Sequence, residues 1–219
     1  MSFLDNFFGD DLSRKDKAAA PYVAPLERRD YVAAIPLLKD AMRRDDACAM
    51  GLMAALTALG RGVQKDPVDA CNWFRQAANR GHVPSQAALG MCLAAGLGSP
   101  ANLQEAAFWV RKASVAGNLQ ANEVFSSLAS KDPFQTAKGF CEASGFSIPA
   151  SRVEAAGVLY KAGVSGDLQA IEILGALAFM DNSVVGPYFT EDELCDLVVM
   201  LKKSAILKNA SIPAGARLH

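Results

Sequence analysis

The sequence predicts an all-α fold, an α/α solenoid of antiparallel helix pairs. Three observations lead there. A set of helix caps, apolar stripes and glycine stops returns after 36 residues. Alanine is abundant and β-branched runs are few, which favours helix. Each recurring segment also carries apolar residues at i, i+3, i+4 and i+7. That stripe is one a single hairpin cannot bury but a stack of copies can.

The stretch GRGVQKDPVDACNWFRQAANRGH, Gly60 to His82, shows the unit. A shift of 36 carries Asp66 onto Asn102, Asp69 onto Glu105, Ala70 onto Ala106, Trp73 onto Trp109, Phe74 onto Val110, Ala77 onto Ala113 and Gly81 onto Gly117. The reverse shift finds a weaker copy in Asp30, Ala34, Leu37, Leu38, Ala41 and Asp45. A forward shift of 85 finds Ser151, Glu154, Ala155, Val158, Leu159, Ala162 and Gly166.

Asp30, Asp66, Asn102 and Ser151 are predicted N-caps, their side chains accepting an orphan backbone N–H. Pro67 falls at the first helical position, where a missing donor costs little. Ser151 with Glu154 reads as a capping box, and Asn102 with Glu105 as its relative. Gly81, Gly117 and Gly166 end the helix where positive φ is commonly needed, and Asp45 replaces glycine in the first copy because Asp tolerates that region.

A second helix follows each stop. Ala49, Ser85, Ala121 and Ala170 align, then Met53, Leu89, Phe125 and Leu174, then Ala54, Gly90, Ser126 and Gly175. Glycine inside a helix costs about 1 kcal/mol relative to alanine, so Gly90 and Gly175 imply a neighbouring helix too close for a side chain. Trp73 and Trp109 read as core, and Trp73→Ala is expected to cost about 3–5 kcal/mol on that reading.

The register breaks between Asn102 and Ser151, which stand 49 apart instead of 36. The surplus lies in SKDPFQTAKGFCEASGFSIP, residues 130–149. It is either an extra helical turn or two around Phe134–Ala143 or a plain elongated loop, and such insertions often map to the binding face. Thr190 and Glu193 open a further apolar helix suited to capping the last unit. The domain plan is therefore an arm or capping helix at 1–28, a solenoid at 29–209 with its insertion at 131–149 and capping helix at 190–208, and a frayed tail at 210–219. Phe3, Leu4, Phe7, Phe8 and Leu12 suit a short amphipathic helix in the arm, which either docks or stays mobile.

Composition excludes several function classes. Net charge is −1 at pH 7, without the basic excess of a nucleic-acid or anionic-membrane binder. No apolar run is long enough to span a bilayer, and the N-terminus lacks the basic region of a signal peptide. Five scattered cysteines without a CxxC pair read as reduced core residues of a cytoplasmic protein. The two histidines, His82 and His219, have no nucleophile or carboxylate set beside them by spacing. Gly60-Arg-Gly62 and Gly96-Leu-Gly98 lack the third glycine and the strand of a dinucleotide loop. No catalytic residue, cofactor or metal is therefore expected.

The series Ala49, Met53, Gly60-x-Gly62, Lys65-Asp66, Ala70, Trp73-Phe74, Ala77-Ala78, Gly81 resembles the Sel-one-like repeat, a relative of the tetratricopeptide repeat. The copy with Leu89-Gly90, Gly96-x-Gly98, Ala106, Trp109 and Ala113 matches as well. The resemblance covers about Asp30 to Lys208. It implies a non-catalytic module that binds another protein in a groove. Mapped groove positions are Gly51, Ala55 and Ala58, then Ala87, Met91 and Ala94, a small apolar surface. They continue with Gln120, Glu123, Ser127 and Lys131, then Gln169, Glu172, Ala176, Phe179 and Met180, an acidic and apolar strip suited to a basic amphipathic partner. Tyr188 and Phe189, in the loop SVVGPYFTED, either anchor the partner or staple the helix behind them.

The chain resembles small bacterial adaptors and immunity proteins of this repeat class, and the expected function is that of an immunity-type protein, monomeric when free, that covers a cognate toxin such as a secretion-system effector. The alternatives are a chaperone or adaptor for a secretion or envelope complex, an enzyme with a site at the 131–149 insertion, and a sensor of a peptide or small ligand.

Overall fold

The computed structural model describes residues 20–180. The segment around Phe3–Leu12, Tyr188 and Phe189, the expected capping helix at 190–208 and the expected tail at 210–219 lie outside the described residues. Among the described residues there are ten helices and no strand. They are α1 (Val23–Glu27), α2 (Tyr31–Arg43), α3 (Ala47–Leu59), α4 (Pro67–Asn79), α5 (Val83–Ala95), α6 (Leu103–Val115), α7 (Leu119–Lys131), α8 (Pro133–Ala143), α9 (Arg152–Val164) and α10 (Leu168–Met180). The described residues form two compact units, divided between Val124 and Phe125.

In the first unit the predicted columns are buried in register. Ala34, Ala70 and Ala106 are buried, as are Leu38, Phe74 and Val110, and Ala41, Ala77 and Ala113. On the second helices Ala49, Ser85 and Ala121 are fully buried. Asp30, Asp66 and Asn102 accept the backbone N–H groups of Ala33, Asp69 and Glu105 at 3.0–3.1 Å. Asp66→Ala is expected to lower stability by about 1 kcal/mol, measured by urea unfolding.

The stops close as predicted. Asp45, Gly81 and Gly117 have φ of 66°, 84° and 89°. In each, the next amide bonds back over the helix end: Asp46 N to Ala41 O, His82 N to Ala77 O and Asn118 N to Ala113 O, at 3.0–3.2 Å. A second cap column then emerges at 46, 82, 118 and 167. Asp46 caps α3 through the amides of Cys48 and Ala49, and Asn118 and Asp167 bond the amides of Ala121 and Ala170. His82 is the exception: its Nδ1 meets Ser85 Oγ at 2.7 Å and caps no amide.

The loops between α3 and α4 and between α5 and α6 explain the Gly-x-Gly spacing. Gly60 and Gly96 end their helices in the left-handed region, both at φ 70°. Gly62 and Gly98 then pass against the start of the helix one step earlier. A Cβ on Gly62 would stand 2.4 Å from Tyr31 Cβ, and one on Gly98 only 1.9 Å from Pro67 O. The cap residue ties the loop shut, Asp66 N donating to Thr57 O at 3.1 Å and Asn102 N to Leu93 O at 3.0 Å. Gly90 answers its expectation too, since a Cβ there would sit 2.3 Å from Val110 Cγ2 of α6.

Two particulars differ from the sequence expectation. Trp73 is only partly buried, whereas Trp109 is buried. Truncation costs scale with what is removed from the core, so Trp73→Ala is now expected to cost about 1–2 kcal/mol, below the usual 3–5 for a core tryptophan. Glu105 does not reach back to its cap: it pairs with Arg75 of α4 and accepts the Trp109 indole N–H at 3.4 Å. The end of the arm is docked, with Tyr22, Val23 and Leu26 packed on Leu38, Leu52 and Leu56, and Tyr22 Oη donating to Asp46 Oδ2 at 2.9 Å.

In the second unit the insertion is a helix of three turns, more than the expected turn or two and not a loop. Asp132 caps it and Pro133 takes its first position, the same Lys-Asp-Pro order that opens α4 at Lys65. Pro133, Thr136, Ala137, Phe140 and Cys141 are buried, a helical stripe that gives α8 a core face against α9 and α10. Phe140 meets Phe125 edge-on, centroids 6.5 Å apart, and stacks on Phe146 at 6.4 Å. Ser151 caps α9 through Glu154 N at 3.1 Å, but Glu154 returns to Ala150 N at 2.9 Å, one residue before the cap.

Candidate functional site

The expected contact residues fall into separate places. In the first unit Met91 is exposed on α5, while Gln120 and Glu123 are exposed one turn apart on α7. The apolar groove expected beside them is absent at three positions, because Gly51, Ala55 and Ala87 are buried. At Gly51 the reason is direct: Ser85 Oγ and the His82 ring stand 2.5 and 2.8 Å from where a Cβ would be. At these three positions helix packs on helix and nothing is presented to a partner.

In the second unit Ser127 is exposed on α7, and Gln169 and Glu172 are partly buried on one face of α10. Phe179 and Met180 belong to the last turn of α10. Their side chains, like Tyr188 and Phe189, lie outside the described residues.

The second unit also holds a cavity of about 220 Å³ that the groove mapping missed, apart from Lys131. Lys131, Asp132, Pro133, Phe134, Arg152 and Leu177 line it. It lies where α7 ends and α8 begins, beside the first residue of α9 and the last turns of α10. Asp132 is committed, its Oδ1 accepting the amides of Phe134 and Gln135 at 3.1 Å. The Lys138 ammonium stands 4.5 Å from the Phe134 ring centroid. The Lys-Asp-Pro repetition was the signal in the sequence that a helix starts here.

The His82–Ser85 contact has the atoms of a nucleophile pair, but Ser85 is fully buried beneath α3 and meets no substrate. The thiols of Cys92 and Cys141 are pushed up to about 11 by burial. Thiolate is the reacting form, so at pH 8 only about one thiol in a thousand is ionised at either position. Iodoacetamide is expected to label both slowly in the folded chain and rapidly after urea, followed by mass spectrometry. Among the described residues no group of three His, Cys, Asp or Glu side chains is placed to hold a metal ion. No helix among them is long and apolar enough to cross a membrane.

The Sel1 repeat family model matches residues 48–82 and 83–118, which are α3 with α4 and α5 with α6. No curated protein matches the chain. Among solved structures, a Sel1 repeat protein from Oxalobacter formigenes is 21% identical over 84% of this chain and 83% of its own, with a TM-score of 0.47. A protective antigen of uropathogenic Escherichia coli strains, displaying an SLR fold, is 18% identical over 90% of this chain, with a TM-score of 0.49. This chain spans about half of that protein, 47% of its length. The matched repeats coincide with the two helix pairs whose loops carry Gly60-x-Gly62 and Gly96-x-Gly98. Residues 48–118 thus carry two Sel1 repeats, a kind of repeat that implies a protein–protein interaction module, and the described helices pair as in an α/α solenoid.

Proposed function

We propose that this module acts as a cytoplasmic immunity-type protein, monomeric until it meets its partner, that binds a cognate toxin or secretion-system effector and blocks it by covering it. The pair of Sel1 repeats carries this reading, because their capped and close-packed helices offer a preorganised surface that loses little entropy on binding. Gln120 and Glu123 on α7 of the first unit, and separately Gln169 and Glu172 on α10 of the second, each offer acidic and amide side chains that suit a basic segment of a partner.

The test is to co-express the chain with the product of the adjacent gene. The expected result is rescue of growth and a one-to-one complex by light scattering. A neighbour that stays toxic, or that elutes apart, would remove the immunity reading and leave an adaptor for a secretion or envelope complex. Glu123→Lys is expected to slow association several-fold at low salt, as rim charges act mainly on the on-rate. An enzymatic site at 131–149 is disfavoured because Asp132 is bound to two amides and Cys141 is buried.

A further inference from the structure

Arg29, in the turn between α1 and α2, has φ 59°. The other left-handed positions among the described residues belong to glycines and to Asp45, residue types that tolerate that region. A long side chain therefore sits in a strained backbone at the hinge of the docked arm. We infer that α1 is an exchangeable arm: at high concentration it leaves its own chain and docks on α2 and α3 of a second copy, which returns its own α1 in the same way.

The docked end names its own occupant. α1 is five residues long and buries Val23, Pro25 and Leu26. Tyr22, Val23 and Leu26 pack on Leu38, Leu52 and Leu56, and Tyr22 Oη donates to Asp46 Oδ2 at 2.9 Å. The other oxygen of that carboxylate, Oδ1, holds the amides of Cys48 and Ala49, so the acceptor stays in place when the arm leaves. A second copy carries the same Tyr22, Val23 and Leu26. Exchange reproduces every contact and needs no new complementarity.

The hinge supplies the driving force. Closed, the chain reverses through Arg29 N to Leu26 O at 3.0 Å and Asp30 N to Pro25 O at 2.9 Å. Opened, α1 and α2 join as one helix, and the amides of residues 29 to 33 take carbonyls four residues back. The Asp30 side chain releases the Ala33 amide in that step, and the Arg29 carbonyl takes it. Glu27-Arg28-Arg29-Asp30 holds no glycine or proline, and Glu and Arg are good helix formers. Short strained hinges invite exchange for this reason. Against it stands the local concentration of a tethered arm, about millimolar. Relief at two hinges, about tenfold each, brings the midpoint to about ten micromolar. Below that the chain is the monomer of the proposed function, and the exchange does not rest on that function.

The test uses the full chain, loosened in mild urea, returned to buffer and measured by light scattering. Dimers are expected well above about ten micromolar and monomers well below it. In a dimer mixed from carbon-13-labelled and unlabelled copies, isotope-filtered NOE spectra are expected to join the Tyr22 ring of one copy to the Leu52 methyls of the other. Arg29→Gly removes the strain and is expected to lower the dimer association constant about a hundredfold. Arg29→Ile, whose β-branch disfavours positive φ further, is expected to raise it several-fold. Both substitutions fall on an exposed turn, and the circular dichroism of the monomer is expected to stay unchanged. A chain that stays monomeric at every concentration, Arg29→Ile included, would overturn the exchange. So would a dimer in which Tyr22 contacts only its own Leu52. An undiminished dimer from Arg29→Gly would overturn the part given to the hinge.

Discussion

Gly98→Ala is expected to destabilise the chain by about 2–5 kcal/mol, read as a lower urea midpoint. Two effects add. Gly98 has φ 75°, a region that costs an L-residue about 1–2 kcal/mol. A Cβ would also stand 1.9 Å from Pro67 O, 2.5 Å from Pro67 C and 3.0 Å from Val68 N. These are backbone atoms at the start of α4, so relief requires moving a helix, and overpacking of that kind costs about 1–3 kcal/mol more. Gly117→Ala separates the two effects. Its φ is 89°, but nothing lies within 4 Å of a Cβ, so only the first cost of about 1–2 kcal/mol applies. Equal losses at both positions would show that the close approach of loop and helix is not what the glycine protects.

Phe140→Ala is expected to cost about 3–5 kcal/mol, the range for truncating a fully buried phenylalanine. The ring lies between Phe125 and Phe146, so the substitution also ends two aromatic contacts, each worth about 0.5–1.5 kcal/mol beyond burial. Far-UV circular dichroism is the right readout, because both tryptophans, Trp73 and Trp109, belong to the first unit. A loss under about 1 kcal/mol would mean that α8 is an ornament on the unit and not part of its core.

The caps and stops were the most readable part of the chain. Asp30, Asp66, Asn102 and Ser151 act on amides two or three residues ahead, and Asp45, Gly81, Gly117 and Gly166 on carbonyls just behind. Chemistry that local repeats visibly at fixed spacing. The cap column at 46, 118 and 167 is equally local, each residue bonding amides two or three positions ahead. Lys131-Asp132-Pro133 marks the start of α8 as Lys65-Asp66-Pro67 marks that of α4, but α8 lies where the spacing changes from 36 to 49 and so has no counterpart in the repeat.

The surface was less readable. Glu105 sits where a capping box would use it, yet it pairs with Arg75, thirty residues earlier. Gly51 and Ala87 occupy groove columns, yet neighbouring helices bury them. Lys131 and Arg152 are 21 apart in the chain and share one cavity. Bonds spanning one helical turn depend on residue order, so the chain alone reveals the helices, their ends and the solenoid. Which faces meet water depends on how side chains from separate helices compete for the same space and the same partners. That competition has no fixed spacing, and it is settled only when the helices pack.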